Sequence, residues 1–127
     1  MGDHPLVYVN GALAPEDQAW VSPLDRGFTL ADGVFETMVA RDENVFRLAD
    51  HLARQHQGAA FLELSPPPRE RLVTALRETL RANALARAVV RLTLTRGVDR
   101  GRGLAVAVKA TPTLVIRATP RAEPDAA

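Results

Sequence analysis

The chain has 127 residues, a length that suits one domain, and 46% of them are hydrophobic, enough for a core. Sixteen basic and 15 acidic residues leave a formal charge of +1, which gives no reason to expect nucleic acid or an anionic membrane as partner. The absence of cysteine excludes disulfides, thiolate zinc sites and cysteine nucleophiles.

In chain order, Leu6-Val-Tyr-Val-Asn-Gly-Ala-Leu-Ala14 predicts two short strands around Asn10-Gly11. Asn-Gly between apolar runs is a hairpin signal, because both turn residues need positive φ. Residues 15–32 are irregular, punctuated by Pro23, Gly27 and then Gly33. Val34 to Ala40 is rich in strand formers, and Asp42-Glu43-Asn44 turns the chain into Val45-Phe46-Arg47-Leu48, a second hairpin. From Asp50, which would cap the helix, the period becomes helical through Leu52, Ala59, Ala60 and Leu62. Ser65-Pro66-Pro67-Pro68 ends that helix and opens another, since proline is tolerated in a first helical turn. Leu72, Val73, Leu76 and Leu80 form its apolar stripe, with Arg71, Arg77, Glu78 and Arg81 mostly facing water; Asn83 lies near its stop.

Ala88 to Thr95 alternates in polarity, as a half-buried strand does. Residues 97–103 predict a loop carrying Arg100 and Arg102. Leu104 to Val108 also alternates, and Thr113 to Ala118 is a last strand. Residues 120–127 have a linker's composition, which sets 1–119 as the domain. Strands in runs, with two consecutive helices between them, predict an α+β fold: a two-layer sandwich with a mostly antiparallel sheet. A dinucleotide or P-loop reading fails, because no glycine-rich turn follows a strand and opens a helix.

No run approaches the roughly 18 apolar residues of a membrane span. Met1 to Pro5 carries neither a charged nor an apolar signal region, so the expected location is cytoplasmic. His51 and His56 are not spaced to ligate a metal from one helix face, and Asp50 and Glu63 are too generic to add a site; no metal is expected.

Three segments concentrate chemistry-bearing residues. They are Asp25-Arg26-Gly27 through Asp32-Gly33-Val34-Phe35-Glu36-Thr37, then His51-Leu52-Ala53-Arg54, then Thr95-Arg96-Gly97. Each has an ordinary explanation. Asp32-Gly33 reads as a turn, Arg54 as an i,i+4 partner of Asp50, and Arg96-Gly97 as a strand terminus. Taken in order, with Leu6-Val-Tyr-Val-Asn-Gly before them, the segments resemble the class IV aminotransferases. That family includes branched-chain aminotransferases, D-amino-acid aminotransferases and 4-amino-4-deoxychorismate lyases.

The resemblance implies a pyridoxal 5'-phosphate enzyme whose His-Leu-x-Arg arginine, here Arg54, binds the cofactor phosphate. A guanidinium offers phosphate forked, charge-assisted hydrogen bonds. It also places Phe35 and Arg91 at the substrate pocket, although Arg91 reads equally well as a strand arginine on a wet face. Arg100 and Arg102 fall where D-amino-acid members recognise a substrate carboxylate across a dimer interface. Those members use an Arg-x-His pair, and the histidine is missing here, which puts D-amino-acid specificity in doubt. The repeated Arg-Gly is closer to the lyases, whereas Glu36 stands where some lyases have threonine, so the subgroup stays open.

The family's Schiff-base lysine lies in a second domain. Lys109 is the only lysine in this chain, and it falls too soon after Arg54 to be that residue. The expectation is therefore an N-terminal half, with 120–127 as the stub of an interdomain linker and the catalytic domain absent. Its parent would take a small-molecule substrate, an amino acid or an amino-chorismate, and form a homodimer. Three readings remain: an aminotransferase half, a lyase half, or a free-standing non-catalytic α+β binding domain.

Overall fold

The computed structural model describes residues 5–99 and 110–122. Six strands form one sheet in the order β2-β1-β6-β5-β3-β4, and every pairing in it is antiparallel. The strands are β1 (Leu6–Val9), β2 (Ala12–Pro15), β3 (Gly33–Arg41), β4 (Asn44–Val45), β5 (Arg87–Thr95) and β6 (Thr113–Pro120). Three helices accompany them: the short α1 (Arg26–Leu30), then α2 (Leu48–Phe61) and α3 (Arg69–Asn83). The expected α+β sandwich with two consecutive helices is the observed fold.

Asn10 (φ 51°) and Gly11 (φ 99°) make the β1–β2 turn with both residues in the left-handed region. The period-2 pattern sorts β3, β5 and β6 into two faces. Met38, Ala40, Ala88, Val90, Leu92, Leu94, Leu114, Ile116 and Ala118 face the helices and are buried. Leu52 and Ala59 of α2, and Leu72, Ala75, Leu76 and Leu80 of α3, close over them, and Tyr8 joins from β1. The opposite face carries Phe35, Thr37, Arg41, Arg91 and Arg117, all exposed.

Three details differ from expectation. Asp50 is not the cap of α2: the N-cap residue is Arg47, in the left-handed conformation (φ 55°), with no side-chain cap. Asp50 sits in the first turn and pairs with Arg47 at 2.9 Å. The second hairpin is short, because β4 covers only Asn44–Val45 before Leu48 enters the helix. The irregular stretch before β3 contains a 3-10 turn over Glu16–Gln18 as well as α1. Residues 104–108, where alternation suggests a strand but the resemblance implies a variable loop, the reading preferred, lie outside the described residues.

The brevity of β4 leaves an edge of the sheet open. It pairs with Ala40 and Arg41 alone, so β3 from Gly33 to Met38 has no strand on its outer edge among the described residues.

Candidate functional site

Two carboxylate–arginine clusters flank the first half of β3. The first is closed. Asp25, 1% exposed, accepts from the Gly27 amide (2.8 Å) and the Thr95 hydroxyl (2.6 Å) through Oδ1, and from the Thr113 hydroxyl (2.6 Å) through Oδ2. Asp32 accepts from Arg26 Nε (2.9 Å) and from Arg96 Nε (2.7 Å) and Nη2 (3.2 Å). Arg96 also donates to the Leu62 and Glu63 carbonyls, satisfying the open C-terminal end of α2. Burial raises the Asp32 pKa, but hydrogen bonds and charge from Arg96 and Arg26 outweigh it and hold the carboxyl below its ordinary value.

Glycine makes this packing possible. Gly97 has φ +100°, and a Cβ there would collide with the Thr111 carbonyl oxygen. The ordinary readings of Asp32-Gly33 and Arg96-Gly97 thus describe part of their role. They join the segment before β3, the end of β5 and the end of α2 into one buried polar knot.

The second cluster is open on one side. Glu36 points to the helix-covered face of the sheet, with its side chain only 7% exposed. It receives Arg54 Nε at both oxygens (3.1 and 3.0 Å) and Arg54 Nη2 at Oε1 (2.8 Å). His51 Nδ1 lies 2.8 Å from the same Oε1. Residues 51 and 54 are one turn apart on α2, so both reach one point on β3. The Arg54 side chain is 68% exposed, and its Nη1 makes no hydrogen bond to any described residue. Arg54 pairs with Glu36 and not with Asp50. Burial pushes the Glu36 carboxyl up, while Arg54 and His51 pull it down further, so it lies below its ordinary value. In return, hydrogen bonds from Arg54 to Glu36 and the carboxylate charge hold the guanidinium more firmly protonated.

Glu36 is the residue that motif reading leaves without a role. A signal for it is present: it occupies an inward position between Val34 and Met38, and a buried carboxylate needs a cationic partner.

Phe35 and Arg91 meet on the other face of the sheet. The Arg91 guanidinium lies 3.9 Å from the Phe35 ring centroid, a cation–π distance. Both side chains are accessible. Phe35 and Glu36 are adjacent in β3 and point to opposite faces, so Arg54 and the Phe35–Arg91 pair stand on either side of the unpaired edge. The structure brings these expected site residues to one stretch of one strand. Arg100, Arg102 and Lys109 lie outside the described residues.

Large apolar side chains in the segment before β3 and just after β5 are exposed. Trp20 is 80% and Phe28 76% accessible, with Leu24, Leu30 and Val98 partly so. Among the described residues no His, Asp and Glu cluster is placed to hold a metal ion, and no helix is long and apolar enough to cross a membrane.

Comparison with known proteins gives this geometry its family. A putative branched-chain-amino-acid aminotransferase of Methanocaldococcus jannaschii is 41% identical over 93 residues, which is 72% of this chain and 32% of that protein. A D-alanine aminotransferase of Staphylococcus haemolyticus is 31% identical over 93 residues, or 72% of this chain and 33% of the relative. The chain thus spans about a third of the length of the curated relatives it matches. The crystal structure of 4-amino-4-deoxychorismate lyase from Pseudomonas aeruginosa superposes with a TM-score of 0.79 at 32% identity, over 92% of this chain and 40% of that one. The model of the amino-transferase class IV family matches residues 33–127, and the chain belongs to that family.

Proposed function

We propose that this chain supplies the phosphate-gripping half of a pyridoxal-phosphate-dependent enzyme that moves an amino group between an amino acid and a 2-oxo acid. The observation that carries the proposal is Arg54: a protonated, mostly exposed guanidinium held in one orientation by a buried carboxylate. The donor set fits one arm of a phosphate site. Phosphate needs a permanent cation with several N–H groups on one edge, and arginine offers that in a rigid fork. The fit extends to that arm alone. Glu36 neutralises much of the charge of Arg54, so a strong phosphate site needs further donors from another domain or chain.

When bound, the cofactor supplies an aldehyde and a conjugated ring that draws electrons from the amino acid's α-carbon. This chain's residues bind and orient. Arg54 would anchor the phosphate on the helix side of β3. The Phe35 ring and Arg91 guanidinium would border the substrate on the open side, the ring against its apolar body and the guanidinium towards a carboxylate. Arg100 and Arg102 are the further candidates for that carboxylate. No lysine of this chain is assigned to the cofactor.

Exposed Trp20, Leu24, Phe28 and Val98 favour coverage by a second domain or a second copy, because large exposed apolar side chains mark interfaces. Homodimerisation and a site completed at such a contact belong to the same proposal, as does the boundary near residue 120.

The test compares pyridoxal phosphate with pyridoxal as ligands of the chain. Cofactor fluorescence should report tighter binding of the phosphorylated form, and Arg54→Ala should abolish the difference. Equal binding of both ligands to the unaltered chain would refute the reading. A lyase parent is the second reading, favoured by 32% identity to the Pseudomonas aeruginosa lyase across 92% of the chain. The product of the complete reading frame separates the two. Pyruvate release from 4-amino-4-deoxychorismate marks the lyase, and transfer to a 2-oxo acid marks the aminotransferase.

A further inference from the structure

A planar guanidinium has two edges able to bind an oxyanion pairwise. One is the side edge formed by Nε and Nη2; the other is the end edge formed by Nη1 and Nη2. In Arg54 these edges are not equivalent. Glu36 fills the side edge with three contacts of 2.8 to 3.1 Å. The end edge, with Nη1 and the second Nη2 hydrogen, has no partner among the described residues, on a side chain that is largely exposed.

The carboxylate is itself fixed. Its oxygens lie buried under α2, and His51 Nδ1 contacts Oε1 at 2.8 Å from one turn earlier on the helix. An exposed arginine with no such brace would sample many rotamers, and ordering it on binding would cost conformational entropy. Here most of that ordering is done in advance.

We infer that Glu36 is a positioning residue for anion binding: it clamps the side edge of Arg54 so that the end edge alone meets a phosphate. The inference rests on the phosphate reading of Arg54 and adds to it an orientation and a second residue. Glu36 has an opposing effect as well, since its negative charge repels the anion and weakens the field of the arginine. Two features favour positioning over repulsion. Three donor–acceptor contacts hold the fork on both carboxylate oxygens, and the buried Glu36 occupies the neighbouring side edge, leaving the end edge turned away from it.

The experiment uses side-chain 15N NMR of the chain with two probes, pyridoxal phosphate and pyridoxal. The Arg54 Nε–H signal is identified by its absence in Arg54→Lys. In the unaltered chain it should be sharp and stay in place as pyridoxal phosphate is added, while the Arg54 Nη signals shift. Glu36→Ala should broaden the Nε–H signal and reduce the preference for pyridoxal phosphate over pyridoxal about tenfold, the scale of one charge-assisted hydrogen bond. Glu36→Asp, which keeps the carboxylate on a shorter stem, should recover part of both effects. Amide spectra of each variant establish that the fold is retained. Should Glu36→Ala bind pyridoxal phosphate as well as or better than the unaltered chain, the carboxylate competes with phosphate and the inference is wrong. Movement of the Nε–H signal on titration would contradict it equally. If Arg54→Lys leaves the phosphate preference intact, the phosphate reading of Arg54 fails first, a result distinct from either.

Discussion

The two arginine–carboxylate clusters beside β3 use the same functional groups for different ends. In the knot of Asp25, Arg26, Asp32 and Arg96, the charged side chains are nearly all out of water, and Arg96 spends its remaining donors on the end of α2. In the cluster of Glu36, His51 and Arg54, the carboxylate is buried and the guanidinium is not. A salt bridge whose cation is buried and turned onto buried acceptors holds elements together. One with a buried acceptor and a half-used donor holds an edge out for something else. On the proposed function, exposure of the cation, more than the presence of the ion pair, is what separates structure from recognition.

The largest expected effect lies in the closed knot. Asp32→Ala strips Arg26 and Arg96 of their shared acceptor; Arg26 keeps Asp99 at 3.6 Å, but Arg96 is left with carbonyl partners alone, and an uncompensated buried charge costs about 3–5 kcal/mol. Denaturant unfolding should show a loss on this scale; a loss under about 1 kcal/mol, the scale of a solvated pair, would mean that water reaches the knot. Asp25→Asn keeps the shape but weakens three hydrogen bonds, and should cost about 2 kcal/mol by the same measurement. Arg54→Ala makes the contrast explicit. Removing the guanidinium leaves the buried Glu36 with His51 as its remaining partner, so stability should fall by about 1–2 kcal/mol, less than at Asp32, while phosphate binding is lost.

Acid unfolding sharpens the comparison. Asp32 and Glu36 both have folded pKa values below their ordinary 3.8 and 4.5. Their contribution is fully present above those values and is lost as pH falls through the lower folded ones. Asp32→Asn and Glu36→Gln should each flatten the fall in stability between about pH 5 and pH 3. A fall as steep as in the unaltered chain would show that neither carboxylate is held as described.

The smallest effect, and a gain, is expected at Gln55, whose amide nitrogen and oxygen are both buried without a protein partner among the described residues. Gln55→Met should raise stability by about 1 kcal/mol, as unpaired polar atoms give way to a side chain of similar shape. A drop in melting temperature would reveal partners for that amide.

Much of this is legible in the sequence. Asn10-Gly11 specifies its turn locally, and the alternation of β3 and β5 carries both their type and their facing. The helix pair follows from apolar spacing and from the Ser65-to-Pro68 break. Motif order picks out Arg54, Phe35 and Arg91, and the fold sets them around one strand edge. What escapes depends on distant partners. The one local signal for the five-residue α1 is its Asp25 N-cap on the Gly27 amide, and the same carboxylate is held by Thr95 and Thr113, residues 70 and 88 positions away. Asp50 has the chemistry of a cap but not the position, because the left-handed turn at Arg47 starts the helix earlier. Pairing of Arg54 with Asp50 suits helical spacing, but the inward-facing carboxylate of Glu36 has far greater need of a cation.

The most direct measurement is the 31P line of pyridoxal phosphate titrated with the unaltered chain, with Arg54→Ala and with the conservative Arg96→Lys. The expected result is broadening and shift with the unaltered chain and with folded Arg96→Lys, and a free-ligand line with Arg54→Ala. A line that responds to Arg54→Ala as it does to the unaltered chain would remove the phosphate from Arg54, and with it the distinction between the two clusters.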